Sequence, residues 1–65
     1  MIAITVSLFR YPHLFRGMSS DFVIPVREWL SHSTPGAYIN DQGTSSSTIR
    51  FKTQGDADKF KSTFL

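Results

Sequence analysis

The chain contains no cysteine, so neither a disulfide framework nor a thiolate metal site can hold it together, and the cytoplasm is its expected compartment. Excess charge of one sign is also scarce. Seven Lys and Arg against five Asp and Glu leave +2, too little to name a polyanion as partner without a clustered patch. Long apolar runs are missing as well: no stretch approaches the roughly 20 residues of a membrane-spanning helix. The start, from Met1 to Phe9, has no basic leader and alternates apolar with polar residues, so a strand is expected there rather than a signal sequence, and no membrane partner. At 65 residues the chain has room for one domain, spanning 1–65, and for no second core.

Groups for catalysis are equally sparse. Only two histidines occur, His13 and His32, whereas a structural zinc site takes four ligands and a catalytic one three protein ligands, so no metal is expected. His32 reads as a favourable charge near a helix end and His13 as a loop residue. The hydroxyls around Ser31, Ser33 and Ser45 to Ser47 lack a base held by a third group. The glycines are scattered rather than gathered into a phosphate cradle. No catalytic residue, no cofactor and no enzymatic activity are expected.

Large side chains are abundant. Aromatics make up 14% of the chain, with six Phe, two Tyr and one Trp, which argues for a folded domain. Ile2, Ile4, Val6 and Leu8 alternate with Ala3, Thr5, Ser7 and Phe9 as in a half-buried strand. The stretch from Arg10 to Met18 keeps no period, contains Pro12 and Gly17, and reads as a loop with large side chains. A helix follows to Ser31 or His32, with Phe22, Val26, Trp29 and Leu30 on one face. Ser19, Ser20 or Asp21 could cap it; alternatively it begins near Ile24, because Pro25 is tolerated only in a first turn. Thr34, Pro35 and Gly36 stop it. Ala37 to Asn40 is a short strand, Asn40 to Gly43 a turn, and the polar run 44–47 lengthens that hairpin loop.

In the last third the apolar period changes from 2 to about 3.6 across Thr53, Gln54 and Gly55. Ile49 and Phe51 alternate as in a strand, whereas Ala57, Phe60 and Phe64 recur as in a helix capped by Thr53 and Asp56. The element order is β-α-β-β-α. It predicts a small α+β domain with a three-stranded, mostly antiparallel sheet and two helices on one face.

Two surfaces stand out in this arrangement. Arg10, Tyr11, Leu14, Phe15, Arg16 and Met18 are residue types enriched at protein interfaces and form a candidate partner-binding loop. Leu14 and Phe15 serve equally well to close a small core. The alternative lies on the open face of the sheet, where Phe9, Tyr38, Arg50 and Lys52 could stack on bases and meet phosphates of a single-stranded nucleic acid. Exposed antiparallel strands also carry such residues for β propensity and edge protection.

Thr48-Ile49-Arg50-Phe51-Lys52-Thr53-Gln54-Gly55-Asp56-Ala57-Asp58-Lys59-Phe60 resembles the third strand and second helix of RNA-recognition-motif and other ferredoxin-like domains. That resemblance implies a truncated ferredoxin-like fold with the first strand in a central position. Arg50 and Lys52 stand where that family's motif places aromatics. The same ending, continued through Lys61, Ser62, Thr63 and Phe64, also looks like that of short tailed-bacteriophage proteins. This implies a viral accessory protein that inhibits or otherwise modulates a larger host or viral protein complex, or a minor virion component, with homo-oligomers possible in either role.

Overall fold

The computed structural model describes residues 2–65, with Asp41 through its backbone. The elements are β1 (Ile2–Ser7), a 3-10 turn (Pro12–Leu14), α1 (Ile24–Ser33), β2 (Tyr38–Gln42), β3 (Ser46–Phe51) and α2 (Gln54–Phe64). This is an α+β domain whose three strands are all antiparallel to their neighbours. Their order is β1-β3-β2, so the first strand lies at an edge and β3 takes the centre. That corrects the central position expected for β1. The long connection through α1 leaves β1 and β2 flanking a gap, and the tight β2–β3 hairpin delivers β3 into it. β3 then pairs with β1 without interruption, from Ile2 opposite Phe51 to Ser7 opposite Ser46.

Alternation sorts the two faces. Ile4 and Val6 of β1, with Ile49 and Phe51 of β3, are buried together with Val26 and Leu30 of α1 and Ala57 and Phe60 of α2. Both helices therefore share one side of the sheet, with α2 lying over β1 and β3. Phe60 is the hub, its ring centroid 5.5 Å from that of Phe51, 5.9 Å from Trp29 and 5.1 Å from Phe64. Burying such a side chain contributes roughly 1.5–3 kcal/mol, a large share of the stability of a domain this small.

The helix boundaries follow from their caps. Thr53 Oγ1 accepts from the Asp56 N–H at 3.1 Å, satisfying an otherwise orphaned donor at the start of α2. α1 begins at Ile24 behind Val23, with Pro25 in the first turn and no side-chain cap, so Ser19, Ser20 and Asp21 do not cap it. Its end is a turn in which the Ala37 N–H donates to Thr34 O at 3.0 Å. Gly36 there has φ +95°, and a Cβ on it would come within 2.7 Å of Lys52 Cε, so the turn requires glycine.

β2 runs further than the strand expected to end at Asn40, since Asp41 and Gln42 belong to it rather than to a turn. Pairing of β2 with β3 shifts between Ile39 and Asp41, leaving Asn40 as the extra residue of a bulge. The hairpin tip is also shorter than expected. The Gly43 N–H donates to Ser46 O at 2.8 Å, so Thr44 and Ser45 alone form it, and Ser45 O in turn accepts from the Leu8 N–H at 2.8 Å.

Candidate loop and open sheet face

The segment between β1 and α1 is folded rather than irregular. Arg16 N–H donates to Asp21 O at 2.8 Å and Val23 N–H to Leu14 O at 3.0 Å, with Phe15 and Phe22 bridged between them. The result is a miniature hairpin. Its tip is the turn from Arg16 to Ser19, in which Ser19 N–H donates to Arg16 O at 3.2 Å and Gly17 supplies φ +58°, the left-handed value a hairpin turn needs at its first central position. Gly17 signalled a break in regular structure in the sequence, but without a period around it the short ladder was not legible.

Phe15 and Phe22 stack at 4.8 Å between centroids with 22° between planes, and Leu14 and Phe15 are each only 4% exposed. These two are foundation rather than contact surface, which removes them from the candidate partner-binding set. Arg10, Arg16 and Met18 are exposed and Tyr11 is half-buried, the Arg10 guanidinium lying 5.9 Å from the Tyr11 ring centroid. The hairpin is anchored to the sheet through polar groups. The buried Ser47 hydroxyl donates to Ser20 O, and Gln42 Nε2 donates to Asp21 Oδ1 at 2.9 Å.

Among the described residues five large apolar or aromatic side chains are exposed: Phe9, Met18, Ile24, Tyr38 and Leu65. Three of them, Phe9, Met18 and Ile24, belong to the one stretch leading from the end of β1 into the first turn of α1. Met18, at the hairpin tip, is 86% exposed, and Phe9 78%. Helical spacing sets Ile24 off the face that carries Val26, Trp29 and Leu30, and that was the one signal in the sequence for its exposure.

On the open face of the sheet Tyr38 stands opposite Arg50, and Thr5 opposite Thr48, their hydroxyls 3.0 Å apart. Lys52 follows the end of β3 with its stem against Gly36. Phe9 is not part of this face. β1 ends at Ser7, and Phe9 sits in the turn closed by the Tyr11 N–H to Ser7 O bond of 3.0 Å. The residues Tyr38, Arg50 and Lys52 are thus brought together, and Phe9 joins the loop surface instead.

Among the described residues no group of three or more His, Cys, Asp or Glu could hold a metal ion. No pocket is present among them, and no helix is long and apolar enough to cross a membrane. Compared with known proteins, the chain matches no family model, no curated protein and no solved structure.

Proposed function

We propose that this protein acts by binding rather than by catalysis, docking onto a larger protein assembly through the segment 9–24, with the hairpin tip at Met18 as its leading contact. The observation that supports this most is the concentration of exposed Phe9, Met18 and Ile24 in that one segment, interleaved with the exposed Arg10 and Arg16. Apolar side chains of this size cost little to desolvate, and Met adapts its shape to the partner. The arginines select a partner surface whose apolar groove is rimmed by carboxylates. The Phe15–Phe22 stack and the short ladder hold the tip before contact, which lowers the ordering cost of binding. The likeness of the chain's ending to short bacteriophage proteins agrees with an accessory role in modulating a host or viral complex.

A photo-crosslinking side chain at position 18, introduced in cells that produce the protein, is expected to trap one dominant partner. The same probe at the exposed position 59 of α2 should not. Arg16→Ala and Met18→Ala should each weaken capture while leaving the fold intact. A second reading has its own observation, the adjacency of Tyr38 and Arg50 with Lys52 on the open face, which suits a single-stranded nucleic acid. Under that reading Tyr38→Ala costs about 1–3 kcal/mol of single-strand affinity, and Met18→Ala costs nothing. Retention of partner capture by Met18→Ala together with its loss in Tyr38→Ala would move the site to the sheet.

A further inference from the structure

The two edges of the sheet are built differently. The β2 edge carries a bulge at Asn40 and the acidic residue Asp41, both devices that discourage a further strand from pairing. The β1 edge has neither. Ile2–Ser7 contains no charge, no proline and no glycine, and its ladder with β3 is regular from end to end. An edge of this kind is a template for another strand.

The hydrogen-bond phase says which groups are offered. The Leu8 N–H points toward β3, donating to Ser45 O, so by alternation Val6 and Ile4 exchange their bonds with β3 while Ala3 and Thr5 direct theirs outward. Both residues are exposed. Ser7, the next outward residue, has its C=O taken by the Tyr11 N–H at 3.0 Å, so the chain's own turn closes that end. The open part of the edge is Ala3 to Thr5.

We propose that this edge pairs with the same edge of a second copy, antiparallel about a twofold axis at Ile4, to join two sheets into one of six strands. In that register Ala3 lies opposite Thr5 of the second copy, the N–H of each donating to the C=O of the other, and the same again across the axis. Every outward group of the two residues is then satisfied. Facing residues stay on matching sides: Ile4 meets Ile4, Ile2 meets Val6 on the helix side, and the small uncharged Ala3 and Thr5 meet on the open side. The occupant this edge selects is an uncharged strand with apolar residues on one side and small ones on the other, which is the pattern of β1 itself. A twofold interface needs that self-complementarity, and with no charge in β1 no like charges are brought face to face.

The test is the association state by sedimentation velocity over a concentration series. The wild-type chain is expected to form dimers. The double variant Ala3→Lys/Thr5→Lys places lysine opposite lysine twice across the axis and should weaken dimerisation about tenfold or more. Ala3→Glu/Thr5→Glu should do the same, and an equimolar mixture of the two variants should recover dimers as a heteromeric pair. Thr5→Pro removes an N–H that has no role within one copy, so it should be monomeric with an unchanged circular dichroism spectrum. A wild-type chain that stays monomeric, or folded lysine and proline variants that dimerise as tightly as wild type, would overturn the proposal.

Discussion

The end of the domain where α2 crosses the sheet and the end where the Phe15–Phe22 hairpin sits are both built on aromatics packed against one another, yet they do different work. At the first, Trp29, Phe51, Phe60 and Phe64 come from three elements and tie both helices to β3. At the second, Phe15 and Phe22 are seven residues apart in sequence and support a single loop. Aromatic burial holds a fold together when it joins elements distant in sequence, and shapes a surface when it joins near ones. The stretch that carries the exposed Met18 belongs to the second kind.

Phe60→Ala should be the most damaging substitution, because the ring is fully buried and touches three other aromatics. About 3–5 kcal/mol is expected, enough to leave a domain of this size largely unfolded in chemical denaturation at room temperature. Phe15→Ala should cost about as much at most, and its loss should fall unevenly. Amide exchange at Arg16 and Val23, whose N–H groups close the small hairpin, should accelerate well before that at Ile49 in the central strand. Equal acceleration at all three would show that the hairpin is part of the global core and erase the contrast between the two ends.

Thr53→Ala removes the oxygen that accepts from Asp56 N–H and should lower stability by about 0.5–2 kcal/mol in thermal unfolding. Met18→Ala should be the mildest, within about 0.5 kcal/mol of wild type, since the side chain is exposed at the tip. Its effect should appear in partner capture alone. A stability loss as large as that of Thr53→Ala would mean that Met18 is packed rather than presented.

Much of this was readable from the chain. Ile4 and Val6 alternate with Thr5, and Ala57 and Phe60 recur at helical spacing, because burying one face imposes those periods whatever the neighbours are. Thr53 announced the start of α2 through local chemistry, and Pro25 confined the start of α1 for the same reason. That Tyr38 and Arg50 share the open face was also readable from alternation, whereas their direct pairing depends on the bulge at Asn40.

The loop and the strand order did not follow. Leu14 and Phe15 have no period, so their burial depended on meeting Phe22 and the sheet, and only the folded chain brings those together. Asp41 and Gln42 read as a turn by composition, but pairing with β3 outweighed that preference at the cost of a bulge at Asn40. β1 lies at an edge because β3 occupies the gap beside it. The sequence by itself determined where each element has an apolar side, since that depends on residues a few positions apart. Which sides meet, which strand is flanked on both edges and which is left open were decided by tertiary structure, because hydrogen-bond partners and burial come from residues far along the chain.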